Sequence, residues 1–272
     1  MYILLPPSET KQPGGAYPPL GEPALSAESP WRTLSFAEQL HDARSRVLRA
    51  LEELSQDETA AVKALKLGAK SRAEIAHNLA LQTSPTMPAI ERYTGVLYDA
   101  LGYETLTEAE RAWIHTRVFI QSALFGLISA GDRIPAYRLS ASSRLASLEK
   151  PLKRVWQDAH SGVFDPATLI IDARSKDYAG LAPFQQAYFL DVVEETEDGS
   201  KRALGHFNKA AKGDFVRRLA RTRFDTNDID AVLDWAHSEQ LQLTVSDERT
   251  LTLVTDTQPG SIARRLSEGT RS

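Results

Sequence analysis

The stretch from Glu108 to Ala130, EAERAWIHTRVFIQSALFGLISA, decides how the rest of the chain is read. Thr107 and Glu110 have the spacing of a capping box, which marks a helix start. Apolar residues at 113, 114, 118, 119, 120, 123, 124, 125, 127 and 128 surround a helical axis instead of lining one stripe. A helix that is apolar all round is a buried one. The pattern therefore predicts a central buried helix over 108–130, ended by Gly131-Asp132. Its most apolar part, Val118 to Ala130, contains Gln121 and Ser122 and is too short to span a bilayer.

Working outward, Tyr2–Leu5 is an apolar run stopped by Pro6 and Pro7, the mark of a buried strand. Pro6–Pro30 is rich in proline and glycine and reads as a long loop. Ser35 with Glu38 and Ser71 with Glu74 repeat the capping-box spacing, placing helices to about Leu54 and Leu81. Leu169–Asp172 and Tyr188–Val193 read as strands. Asp198-Gly199 is a hairpin turn into a strand ending near Phe207. Helices follow over Lys209–Arg223 and Thr226–Ser238. Alternation from Leu241 to Leu253 about Ser246-Asp247-Glu248 predicts a terminal hairpin, and 260–272 reads as a frayed tail. With no repeat, no linker and no βαβ rhythm, the expectation is one compact α+β domain over 1–272, with mixed short strands and a cleft.

Composition narrows the chemistry. The chain has 272 residues, 42% hydrophobic and 25% charged, which suits a globular domain and excludes disorder or collagen. It contains no cysteine, so disulfides, thiolate nucleophiles, Cys-zinc sites and iron–sulfur clusters are ruled out. The six histidines (41, 77, 115, 160, 206, 237) lack metal-ligand spacing, so no metal site is indicated. There is no GxSxG, GxGxxG or Walker loop, and no cofactor is expected. The N-terminus has no basic start and no long apolar stretch of the secretory type, so a soluble cytoplasmic protein is expected, with no membrane partner.

Charge is unevenly placed. Lys201–Arg223 carries eight basic residues and one acid in a chain of net charge −4. A local basic patch on an acidic protein points to an anionic partner at one place. On a helical wheel Ala211, Phe215, Val216 and Leu219 form the apolar face, and Arg217, Arg218 and Arg221 lie opposite. Lys212 falls inside the apolar arc, where it must snorkel, pair or line an internal cleft. A second candidate is Asp172-Ala173-Arg174-Ser175-Lys176-Asp177-Tyr178, a polar cluster at the carboxyl end of a strand. Tyr137-Arg138 and Ser8-Glu9-Thr10-Lys11 are further candidates.

Taken together, these segments resemble the YaaA peroxide-stress family. Leu4-Leu5-Pro6-Pro7-Ser8-Glu9-Thr10-Lys11 is similar to the opening motif of its actinobacterial branch. Tyr93-Thr94-Gly95 with Tyr98, and Leu124–Leu127 with Asp132, Ile134-Pro135 and Tyr137-Arg138-Leu139, resemble two internal motifs. Asp172, Arg174-Ser175 and Tyr178 match a strand-end motif. Phe207, Lys209, Ala211-Lys212-Gly213 and Arg217 match a basic motif, although the paired lysines of the family are Lys209-Ala210 here and its arginine is Lys212. The glycine-aromatic pair of the family is absent around Ser238–Leu243. The resemblance implies an unusual α+β fold with a basic cleft and a helix-hairpin-helix-like element, mapped to 93–130. It implies binding to duplex or branched DNA and a role in limiting iron-driven damage under peroxide stress.

Three functions stay open. A weakly sequence-specific DNA-binding protein would use Lys11, Arg138, Arg174, Lys209, Lys212 and Arg217 on phosphates. An enzyme on a small anionic or nucleotide-like substrate would draw acids, bases and hydroxyls from Ser8, Glu9, Asp172, Ser175, Asp177, Tyr178 and Lys212. A purely structural or protein-binding module would leave these loops as ordinary closures. With methionine only at 1 and 87 and no thiol, any part in oxidative stress works through binding or other chemistry.

Overall fold

Residues 118–129 are not the second half of a helix but two strands of the central sheet. The computed structural model describes residues 1–20, 30–195, 201–203 and 206–255, so the expected frayed tail lies outside the described residues. From the N-terminus the elements are β1 (Tyr2–Leu5), α1 (Ala37–Ser55), α2 (Glu58–Ala64), α3 (Ile75–Leu79), β2 (Met87–Pro88), α4 (Ala89–Arg92) and α5 (Val96–Leu101). Next come α6 (Glu108–Arg117), β3 (Val118–Ser122), β4 (Gly126–Ser129), β5 (Arg133–Ile134), α7 (Leu152–Ala159), β6 (Ile170–Asp172) and α8 (Lys176–Ala179). The last are β7 (Ala187–Glu195), β8 (Lys201–Ala203), α9 (His206–Thr222), α10 (Ile229–Ser238), β9 (Gln242–Asp247) and β10 (Thr250–Thr255).

The main sheet runs β4-β3-β1-β6-β7-β10-β9, with β8 on the far half of β7. Strands β3, β1, β6, β7 and β10 are mutually parallel, and β4, β8 and β9 join antiparallel. This parallel centre makes the domain α/β, where α+β was expected. The βαβ rhythm is hidden because the first crossover, from Leu5 to Val118, holds six α-helices among its described residues.

The capping box at Thr107 and Glu110 forms as expected, but α6 stops at Arg117, where Val118 turns extended. A strand buried on both faces has no period of its own and looks like a buried helix. Ser122 Oγ accepts the N–H groups of Leu124 (3.1 Å) and Phe125 (3.0 Å) and closes the turn between β3 and β4. Gly126 follows at φ +67°, and a Cβ there would press into the Trp156 ring. Residues 118–130 of the segment expected to be helix-hairpin-helix-like are therefore sheet and turn, leaving α5 and α6 as its helices.

β1 explains its own apolar run. Ile3 and Leu5 belong to the main core, and Leu4 to a second one with Phe119, Phe164 and Ile170. Tyr2 and Phe36 close that second face, Tyr2 edge-on to Phe119 at 5.1 Å. The helix that is buried nearly all round is α9, whose Phe215, Val216, Leu219 and Ala220 are fully enclosed. It packs on α5 and β7. Gly213 makes the crossing possible: a Cβ there would collide with Leu97 O and stand 3.0 Å from Ala100 Cβ and Leu101 N.

Other expectations are corrected locally. The Ser35–Glu38 box does not form; Phe36 occupies the N-cap in left-handed geometry, and Ser35 N and Oγ bond Asp132 at 2.8 and 3.0 Å instead. The Ser71–Glu74 signal yields a 3-10 helix, Ala69–Glu74, leading into α3. The strand expected to reach Phe207 ends at Ala203, and α9 has begun by His206. The terminal hairpin is present as β9–β10. The described part of the long loop is tied down by Arg92, fully buried, whose guanidinium donates to Gln12 O, Gly14 O (2.8 Å), Pro85 O and Ile134 O. No helix of the described residues is long and apolar enough to cross a membrane.

Candidate functional site at the carboxyl end of the sheet

β1 has β3 on one side and β6 on the other, so consecutive crossovers leave it in opposite directions. Such a switch point leaves the space beyond the carboxyl ends of the strands uncovered, where open α/β sheets place their ligands. Three segments emerge there: Pro6–Lys11 after β1, Ala123–Phe125 after β3 and Ala173–Ser175 after β6. The register pairs Leu4 with both Phe119 and Asp172, which sets Gln121, Ser122 and Asp172 at this edge.

One half of the site is ionic. Arg174, fully buried, grips Asp172 through Nε–Oδ1 at 2.7 Å and Nη2–Oδ2 at 2.6 Å, and its own N–H reaches Oδ1 at 3.0 Å. Its remaining donors go to Gln121 Oε1 (3.2 Å) and Ala182 O (2.9 Å). Removing one partner of such a buried pair costs about 3–5 kcal/mol. Gln121 Nε2, on the same side chain, is buried with no hydrogen-bond partner among the described residues. Lys212 arrives from α9 and is 6% exposed. Its Nζ donates to Arg174 O at 3.4 Å and lies 5.1 Å from the Phe189 ring. Burial lowers its pKa to about 8, against the pull of Asp172 and Asp191. Asp172 is committed to Arg174, so Lys212 has a carboxylate nearby but no ion pair of its own among the described residues.

The other half is phenolic. Tyr137 OH lies 2.8 Å from both Tyr93 OH and Ser122 Oγ. Ser122 Oγ already accepts two backbone N–H groups, so its own proton goes to Tyr137, and Tyr137 donates to Tyr93. The Tyr93 proton is then the free end of the relay. Burial pushes all three nearby phenols, Tyr93, Tyr98 and Tyr137, well up, keeping them protonated. Tyr98 OH donates to Pro6 O at 2.8 Å. Arg138 bridges Glu9 (2.8 Å) and Glu74 (3.2 Å). Lys11 Nζ lies 4.2 Å from the Tyr137 ring centre. Tyr178 is within electrostatic reach of Tyr137, Glu9 and Arg138, and burial raises its pKa.

The fold thus brings Asp172, Arg174 and Lys212 together and sets Glu9, Lys11 and Arg138 near Tyr178, drawing on four separate stretches. Ser8 is half-buried at the rim, with Oγ 3.2 Å from Thr10 Oγ1. Ser175 is exposed as the N-cap of α8, Asp177 is exposed beside it, and Lys209 is exposed on α9. Arg217 corrects the wheel: it faces inward, 6% exposed, and caps α5 through Leu101 O (2.9 Å) and Gly102 O (3.1 Å). It is a helix-capping cation away from this site. Gln121 and Ser122, missed as functional, had one signal, a polar pair inside an apolar run. A pocket of about 630 Å³ lies between α4, α5 and α6 and shares Tyr93 and Tyr98 with the phenolic half; its Glu91, Asp99 and Glu104 outnumber its one lining cation, Arg111.

Comparison with known sequences decides the relationship. The profile described as peroxide stress protein YaaA matches residues 1–243. The chain belongs to the YaaA peroxide stress protein family. A UPF0246 protein of Corynebacterium efficiens is 40% identical over 93% of this chain and 100% of its own length. A UPF0246 protein of Streptomyces coelicolor is 36% identical over 82% of this chain and 84% of its own. A more distant one, from Lactobacillus delbrueckii subsp. bulgaricus, is 26% identical over 88% and 93%. The YaaA profile spans every segment that builds the strand-end site, from Ser8 to Lys212.

Proposed function

We propose that this YaaA-family chain holds a small anionic or nucleotide-like molecule, as an enzyme would, in a crevice at the carboxyl ends of β1, β3 and β6. One observation carries the reading: Lys212 is a nearly buried cation whose one hydrogen bond among the described residues is 3.4 Å long, and Asp172, the carboxylate that acts on it most strongly, is spoken for by Arg174. A buried ammonium in that state gains from an anion. The orphaned Gln121 Nε2 supplies a second donor, and the Tyr93–Tyr137–Ser122 relay with Tyr178 supplies protons. Protection against peroxide would then run through what the site binds or turns over, because the chain has no thiol.

Duplex or branched DNA is the second reading, carried by the basic cleft and helix-hairpin-helix that the family resemblance implies. Lys209, Arg221 and Arg223 are exposed and favour it. Against it, Arg174, Lys212 and Arg217 are turned inward, and the pocket beside α5 and α6 is acidic where phosphates would sit. The test is a thermal-shift screen of nucleotides and small anions beside fluorescence anisotropy of labelled duplex and four-way-junction DNA at about 50 and 200 mM salt. A ligand at ~100 times its Kd stabilises by about 2.7 kcal/mol, and Lys212→Met should abolish that shift. No anion shift, together with salt-sensitive DNA binding that survives Lys212→Met, would overturn the first reading in favour of the second.

A further inference from the structure

We propose that the Lys11 amine is a neutral nucleophile that condenses with a small aldehyde or ketone. The inference deepens the reading above by naming a substrate class, and it depends on that reading only for where the rest of the substrate lies. Lys11 is half-buried between the exposed pair Glu9-Thr10 and the exposed Gln12, so a small molecule can approach from that rim. Its Nζ donates to Ser8 O at 2.9 Å and Glu9 O at 3.2 Å. A neutral amine has two N–H bonds, and these two carbonyls use both. The Tyr137 and Tyr93 rings stand beside it, at 4.2 and 5.4 Å to their centres.

The carboxylates that would hold Lys11 as an ammonium are taken. Glu9 and Glu74 both bind Arg138, and no carboxylate pairs with Lys11 among the described residues. Burial, with Arg138 and then Arg92 as like charges, brings its pKa down to about 7, against Glu74 and Glu9, which pull it up. A ring face favours the charged form, whereas burial and Arg138 favour the neutral one. A desolvated lysine beside another cation is an established way to make an amine nucleophilic at neutral pH.

The step balances without any other reactant. The Nζ lone pair forms a bond to the carbonyl carbon, and the C=O pair moves to oxygen, which takes a proton as the amine loses one. The C–O bond then breaks, the oxygen leaves as water with a second proton, and an imine remains. The Tyr93 O–H, at the free end of the Ser122–Tyr137–Tyr93 relay and on a ring beside the amine, is the proton source we assign to these transfers.

The test uses the full chain at pH 7 with glyoxylate or with propanal, each with cyanoborohydride, followed by peptide mass mapping. Lys11 should be alkylated about tenfold or more faster than the exposed Lys70 and Lys150. Arg138→Gln frees Glu9 and Glu74 to pair with Lys11. It should slow labelling at pH 7 and restore it at pH 9, a pattern that loss of fold would not give. Lys11 left unlabelled by both reagents in folded protein, while Lys70 and Lys150 react, overturns the inference whatever Lys212 does. If Lys212→Met lowers labelling by glyoxylate but not by propanal, both readings stand. If it changes neither, the Lys11 inference stands and the Lys212 anion anchor fails.

Discussion

Gly213→Ala offers a test in which the sign alone is diagnostic. On an exposed helix the change would stabilise by up to about 1 kcal/mol, because alanine is the better helix former. Here α9 crosses α5 at this glycine. The added methyl would run into Leu97 O and stand 3.0 Å from Ala100 Cβ and Leu101 N. Two of those three atoms are backbone and cannot rotate away, so the helices must separate. Overpacking of a tight interior costs about 1–3 kcal/mol. Separation also lengthens the Arg217 hydrogen bonds to Leu101 O and Gly102 O, worth about 1.5–3 kcal/mol each at full strength. After subtracting the propensity gain, a net loss of about 2–4 kcal/mol is expected. At ~2–4 °C per kcal/mol for a domain of this size, the melting temperature should fall by roughly 5–15 °C by circular dichroism. Gly68→Ala is the control, since nothing lies within 4 Å of its Cβ position. A Gly213→Ala protein that melts higher than the parent would refute the close crossing and the buried placement of α9.

Arg217→Ala should destabilise by about 2–4 kcal/mol in urea titration, whereas Arg221→Ala, on the exposed end of α9, should stay within about 0.5 kcal/mol. Equal effects would mean that Arg217 does not cap α5. Lys212 has a folded pKa of about 8 against the ordinary lysine value of 10.5, so unfolding takes up a proton between these values and stability rises with pH across that window. The rise from this group is on the order of 3 kcal/mol, and Lys212→Met should remove that share from denaturant titrations at pH 7 and 10 while the share from Lys11 remains. By the same titration, calorimetric affinity for a small anion should weaken as pH passes about 8. Tyr137→Phe leaves Ser122 and Tyr93 short of a partner and should cost about 1–3 kcal/mol of stability; a neutral result would mean the relay is not formed.

Much of the site was legible because polar residues at the ends of apolar runs announce themselves. Ser8–Lys11 and Asp172–Tyr178 each follow a short strand, and Lys212 interrupts an apolar arc. Their convergence was not legible, because it depends on which strands neighbour β1, and those pairings join residues far apart in the chain. The parallel sheet was hidden for the same reason. The 118–129 segment misled because enclosure on every side erases the periodicity that separates a strand from a helix. Arg217 misled because a wheel records one apolar face and cannot foresee a second helix at Gly213. The orphaned amide of Gln121 and the phenol relay are facts of packing and leave only the Gln121-Ser122 pair as a trace in sequence.

The position of β1 in the sheet has a consequence for how the chain is made. Ile3 pairs with Val118, and Tyr2 with Ile170, so the central strand is synthesised long before either neighbour. At roughly 5–20 residues per second, β1 waits on the order of ten seconds for its first partner and longer for its second. Throughout that interval Tyr-Ile-Leu-Leu is an open template with two free edges, attractive to any other nascent chain. Pro6 and Pro7 stand directly behind it and cannot donate to a growing ladder. They stop a misplaced strand pairing from running on past Leu5 until Val118–Ser122 leaves the ribosome.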